Sequence, residues 1–194
     1  MRNLVCLTEE QSAEEMLKAV LPRLLPGIKT HFRHFEGKSD LEEHVETIIR
    51  GWLEPNSCFL VMRDKDTGDC REVKNRLLQK VANTGKSELT CIRIACHELE
   101  SFYLGDLEAV EDGLGLNRLS NKQNSRKFRD PDRLANASQE LKRLTNNKYS
   151  KVQGSRDIAP HLSLDGSNKS HSFNVLIGGV KKLLNETQHP HPNA

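Results

Sequence analysis

Cys58-Phe59-Leu60-Val61-Met62, running on into Arg63-Asp64-Lys65-Asp66, is the stretch that decides the fold. Five consecutive apolar residues, bounded by Pro55-Asn56 before and charge after, predict a central strand covered on both faces. Upstream, Asn3–Leu7 is a second short apolar run. Ser12 and Glu15 then have capping-box spacing, and Ala13, Met16, Leu17, Val20, Leu21, Leu24 and Leu25 follow at helical intervals, with Pro22 predicting a kink or new turn. Ile28–Phe35 alternates like a strand of mixed burial. Ser39 with Glu42 opens a second helix, whose buried stripe is Leu41, Val45, Ile48, Ile49 and Trp52. Downstream, Asp69 with Glu72 starts a helix that Gly85 closes, and Leu89–Cys96 is a fourth strand. The alternation β-α-β-α-β-α-β predicts an α/β fold with a mainly parallel, Rossmann-like four-stranded sheet flanked by helices.

After His97 the rhythm changes. Residues 98–113 look helical, residues 117–133 like a polar, basic loop, and Ala135–Leu144 and Phe173–Leu184 like helices. Gly178 and Gly179 weaken the last at about 1 kcal/mol each. The expected organisation is a core over 1–116, a basic, mostly helical extension over 117–186 packed on it, and a disordered tail over 187–194. The 194 residues are 36% hydrophobic and 29% charged, enough for a buried core. No apolar run approaches a membrane span and none resembles a signal peptide, so a cytoplasmic location and no membrane partner are expected. Of the five cysteines, Cys6, Cys58, Cys91 and Cys96 sit in or beside apolar runs and read as small buried hydrophobes.

The net charge of +2 conceals an asymmetry. Residues 1–116 carry 15 basic against 21 acidic side chains, and residues 117–156 carry 11 against 3. An acidic body followed by a basic segment points to a polyanionic partner. In open parallel sheets, ligands gather beyond the carboxyl ends of the strands. Acids stand at three of the four exits: Glu9 and Glu10 after the first, Asp64, Asp66 and Asp69 after the third, and Glu98 and Glu100 after the fourth. In an extended exit Asp64 and Asp66 point to the same side, where oxygen-only ligands suit Mg²⁺ or Mn²⁺ rather than zinc. The plainer reading is a solvated turn capping a helix, which Asp-Lys-Asp-Thr-Gly-Asp satisfies by turn chemistry alone. Glu9 at a neighbouring exit tips the balance toward a metal site.

An acid after the first strand and Asp64-Lys65-Asp66 after the third resemble the Toprim domain of topoisomerases, primases and OLD-type nucleases. More closely, the chain resembles a bacterial Toprim-like family, domain-of-unknown-function family 4276. The resemblance rests on Leu21-Pro22-Arg23-Leu24-Leu25-Pro26, Gly37-Lys38-Ser39-Asp40-Leu41, Arg63 to Arg71, Arg93 to Ser101, Lys127 to Leu134 and Ile158-Ala159-Pro160-His161-Leu162. It implies that Glu9 is a metal ligand or general acid/base, that Asp64 and Asp66 are the metal pair, and that Glu98 or Glu100 adds a late carboxylate. The chain departs from the wider Toprim pattern at Glu10, where glycine is common. The resemblance also implies kinship with phage- and plasmid-defence proteins encoded beside an ABC- or AAA-type ATPase.

The leading expectation is therefore a Mg²⁺-dependent nuclease or related phosphoryl-transfer protein acting on DNA or RNA. Glu9, Asp64, Asp66, Glu98 and Glu100 are its candidate catalytic residues, and Lys38, Lys65, Lys122, Arg126, Lys127, Arg129 and Arg133 its phosphate contacts. The alternative is a non-catalytic Toprim-like sensor or regulatory subunit of an ATPase. Tyr103 and Tyr149, in helical and polar-loop contexts, make poor nucleophiles for strand passage. Asp130 and Asp132 are expected to pair with neighbouring arginines, and His97 to bond a backbone carbonyl.

Overall fold

A strand with both faces covered needs a partner layer on each side, and the chain supplies two. The computed structural model describes residues 2–65, 70–95 and 97–186. Strands β1 (Asn3–Thr8), β2 (Lys29–His34), β3 (Ser57–Asp64) and β4 (Thr90–Ala95) pair in parallel in the order β2-β1-β3-β4. Helices α1 (Gln11–Leu24), α2 (Lys38–Gly51) and α3 (Cys70–Ala82) connect them. Successive strand residues face opposite ways. Leu4, Cys6, Cys58, Leu60 and Met62 therefore join Met16, Leu17 and Leu21 of α1 on one side. Val5, Leu7, Phe59, Val61 and Ile92 join Leu41, Val45 and Ile49 of α2 and Leu77 and Val81 of α3 on the other. Cys58 to Met62 are all at most 2% exposed, as an interior parallel strand requires.

Five further helices follow: α4 (Glu100–Leu104), α5 (Leu107–Leu114), α6 (Ala137–Leu144), α7 (Lys151–Ile158) and α8 (His171–Glu186). Their apolar side chains, among them Phe102, Val110, Leu141, Ile158, Phe173 and Val180, share one cluster with Leu4 and Leu60. The α1 face of the sheet is thus roofed by the second half of the chain. Among the described residues, no helix is long and apolar enough to cross a membrane. Cys6, Cys58 and Cys91 are buried, and burial pushes the Cys6 and Cys91 thiols up. Cys96 lies outside the described residues, as do Asp66, Asp69 and the tail over 187–194.

Several local expectations are overturned, each by a tertiary demand. Neither capping box forms, and the N-cap positions of α1 and α2 are Glu10 and Gly37. Glu15 instead receives Arg156, and Glu42 receives Arg63 and Arg76. Pro22 falls in the last turn of α1, where few bonds remain to lose, and the chain turns just after it at residues 25–27. The helical stretch expected over 98–113 divides in two, because Asp106 caps α5 by accepting from the Ala109 N–H. Its junction residue Gly105 lies where a Cβ would meet the Ser170 nitrogen at 2.6 Å. The basic loop contains two short 3-10 turns, Ser120–Lys122 and Pro131–Arg133. Helix α7 was not anticipated, and Tyr149 just before it is buried rather than in a solvated loop. Gly179 of α8 has a purpose: the Arg93 guanidinium occupies the space its Cβ would fill, and Arg93 Nε donates to the Val175 carbonyl at 3.1 Å.

Candidate functional site at the strand exits

Parallel order puts the carboxyl ends of all four strands on one edge of the sheet, and register brings three exits together. Thr8 is level with Met62, and Asp64 with Ala95. Glu9 continues β1, its N–H bonding the Met62 carbonyl at 3.1 Å. Its Oε2 accepts the backbone N–H of Asp64 at 3.1 Å and stands 3.6 Å from Arg63 Nε. Strand alternation separates the two β3 residues. Arg63, 3% exposed, goes to the α2 side and pairs with Glu42. Asp64 goes to the α1 side, where Glu10 and Glu100 influence it.

Glu10 accepts the Ser12 hydroxyl at 2.6 Å, and its two carboxylate oxygens lie 3.2 and 3.0 Å from Lys151 Nζ at the start of α7. Glu100 opens α4 and is 1% exposed. Its Oε1 accepts the Tyr149 hydroxyl at 3.0 Å, and its Oε2 has no hydrogen-bond partner among the described residues. Burial raises the Asp64 carboxyl well above the usual range; Glu10, Glu100 and Glu9 push it further, against one hydrogen bond from the Leu99 backbone. Burial likewise raises Glu100, with Glu98 adding to it, while Lys151 and Tyr149 oppose the shift. Asp64 and Glu100 are therefore buried in a way that disfavours their ionisation, and Lys151 supplies the local positive charge.

Of the expected site residues, Glu9 meets Asp64 through the Asp64 backbone N–H and Glu100 is felt by the Asp64 carboxyl, while among the described residues no three acids form a metal-binding group. Glu98 is committed elsewhere: its Oε2 accepts the Ser138 N–H at 2.7 Å, satisfying a donor at the start of α6. Asp66 lies outside the described residues. Lys65 stays at the end of β3, its N–H bonding the Ala95 carbonyl at 3.0 Å. Lys38 is exposed on the first turn of α2, beside Gly37, whose N–H bonds the Glu9 carbonyl at 3.0 Å. Arg126, Lys127, Arg129 and Arg133 line a shallow basin of about 450 Å³ with Asp130 and Leu134. Lys122 is exposed on a turn and is not part of the basin's lining.

Lys127 pairs with Glu140, and Arg133 with Asp130 at 2.7 Å, as expected of a neighbouring acid. Asp132 does otherwise: its carboxylate accepts the Ser170 hydroxyl and the Ser172 N–H, both at 2.7 Å, ordering the start of α8. Tyr103 is buried and donates to Ser155 Oγ at 2.7 Å, which leaves it no nucleophilic role. His97 holds a left-handed backbone conformation, φ +64°, where the chain turns off β4. Sequence reading passes over Lys151 altogether and weighs Tyr149 only as a nucleophile. Their only local signal is a polar stretch, Lys148-Tyr149-Ser150-Lys151, and nothing in it points to an acid 141 residues away.

The fold and these residues define a class: an open parallel α/β protein with a carboxylate cluster beyond its strand ends. Residues 8–181 match the family described as Domain of unknown function (DUF4276), and the chain belongs to that family. No curated protein and no solved structure matches it significantly.

Proposed function

We propose that the protein is a divalent-cation-dependent phosphoryl-transfer enzyme of Toprim type, most simply a nuclease. One observation carries this reading: Asp64 is buried at the end of β3, which raises its pKa, and the charges of Glu10, Glu100 and Glu9 raise it further. Structural carboxylates are normally paired so that ionisation is easy, whereas functional sites accept such crowding. The donor set is all oxygen, which suits a hard cation such as Mg²⁺ or Mn²⁺, and the unpartnered Oε2 of buried Glu100 fits the same chemistry. Asp64 and Glu100 would hold the ion, with Asp66 as their sequence partner. A bound divalent ion supplies Lewis-acid polarisation of a phosphoryl oxygen.

The chain's own groups do the rest. Glu9 is fixed by the Asp64 N–H and faces Arg63, which orients its carboxylate without leaving it to rotate. The basin of Arg126, Lys127, Arg129 and Arg133 offers charge to a phosphate backbone, and the Ser138–Glu98 bond ties the start of α6, just beyond it, to the β4 exit. The test is cleavage of DNA and RNA with Mg²⁺ or Mn²⁺, by wild type and by Asp64→Ala and Glu9→Ala. Activity should fall at least about 100-fold in Asp64→Ala. Metal-dependent cleavage that survives both substitutions would place the chemistry elsewhere.

A second reading is favoured by a specific observation. Among the described residues, no three His, Cys, Asp or Glu side chains are arranged to hold a metal ion, and Glu9, Glu10, Glu98 and Glu100 each have a protein partner. That pattern suits a Toprim-like regulatory subunit of an ATPase. Absence of cleavage with every substrate, ion and neighbouring ATPase would favour it.

A further inference from the structure

The acid cluster is already served by a cation of its own. Lys151 Nζ bridges both carboxylate oxygens of Glu10, and its charge is felt by Asp64 and Glu100 as well. Yet the Lys151–Glu10 pair is exposed, with side-chain accessibilities of 47% and 31%, and pairs so placed are weakly held. The acids behind it are the opposite. Glu100 is 1% exposed, and its Oε2 has no donor among the described residues although it lies among like charges. A buried acceptor without a donor among the described residues, within electrostatic reach of a loosely held ammonium, is the arrangement of a cation site whose resident charge can be exchanged.

We infer that Lys151 is the displaceable counter-ion of the strand-exit cluster: a divalent cation entering at Asp64 and Glu100 takes over its charge and releases its ammonium toward an anionic phosphate ligand. The inference rests on the cation reading above but concerns a residue of α7 that the sequence pattern did not single out. It explains why the second half of the chain returns to the edge of the sheet at this point. α7 packs against α1, and its first residue is delivered to the acid that precedes α1. Exchange also couples the two charges: with the ion bound, Lys151 becomes available where a phosphate would be bound.

The experiment is Mn²⁺ binding followed by electron paramagnetic resonance of the free ion, without substrate. Lys151→Gln removes the competing charge and should bind Mn²⁺ about tenfold tighter or more than wild type, whereas Lys151→Arg should bind like wild type. Asp64→Asn and Glu100→Gln should lose the site. Equal or weaker binding by Lys151→Gln, with binding still lost in Asp64→Asn, would overturn the exchange while leaving the cation site intact. No Mn²⁺ bound to any variant would overturn the cation reading itself, and the exchange with it. A second measurement needs no folded variant. In wild-type protein with ¹⁵N-labelled lysine, the Lys151 ammonium resonance should shift as Mg²⁺ is added, and an unmoved resonance at saturation would refute its release.

Discussion

At the scale of single residues, Asp64 costs the protein stability and the cost has a sign. Its folded pKa lies above its unfolded value, so the folded state binds the extra proton. Stability is then fullest below the ordinary carboxylate range and declines as pH rises through the raised folded value. Asp64→Asn cannot ionise, and should melt at a higher temperature than wild type near neutral pH in the absence of divalent ions. Its melting temperature should also vary less with pH above the ordinary carboxylate range. Thermal melts of both proteins across that range provide the check, and a lower midpoint for the variant at neutral pH would contradict the crowding argument. Such a gain in stability with loss of activity is the usual signature of a site shaped for function. The sequence offered Asp64 and Glu9 through their places after strands. It could not distinguish Glu98 from Glu100, since one caps α6 and the other is buried against Tyr149, and both facts depend on residues some forty to fifty positions away.

At the scale of elements, helices were legible wherever an apolar stripe ran unbroken and misread wherever a polar residue had a distant employer. The buried stripes of α1 and α2 follow their spacing, but Glu15 and Glu42 abandon local capping for arginines elsewhere in the chain. Helix α7 was invisible because its buried face is small, with Gly154 and Ser155 beside Ile158. Small residues mark close approach instead. A Cβ on Gly113 of α5 would lie 2.4 Å from the Asp157 carbonyl oxygen and 2.7 Å from the Ile158 Cα of α7, and backbone cannot swing aside. Gly178 of α8 is exposed, with nothing within 4 Å. Gly113→Ala should therefore destabilise the protein by about 2 kcal/mol or more, whereas Gly178→Ala should stabilise it by about 0.5–1 kcal/mol. Urea melts give both, and equal effects would mean that α5 and α7 do not approach this closely.

At the scale of the whole molecule, charge is segregated along the sequence while the hydrophobic interior is shared. The core cluster runs from Leu4 to Leu184, so body and extension share one hydrophobic interior. What differs is the surface. In the basic segment, two of the basin's four cations are spoken for by Glu140 and Asp130, while Arg126 and Arg129 have no ion-pair partner among the described residues. Those two arginines should contribute most to any phosphate contact. Arg126→Glu with Arg129→Glu should weaken binding to DNA and RNA alike, independent of sequence, and lower the dependence of log affinity on log salt by about 2. Fluorescence anisotropy with labelled oligonucleotides at several salt concentrations measures both quantities. Because the substituted residues lie outside the carboxylate cluster, Mn²⁺ binding at Asp64 should stay as in wild type. An unchanged salt slope would make the basin an ordinary solvated face and confine any polyanion to the exits, where Lys38, Lys65 and a released Lys151 would be the basic groups left to meet it.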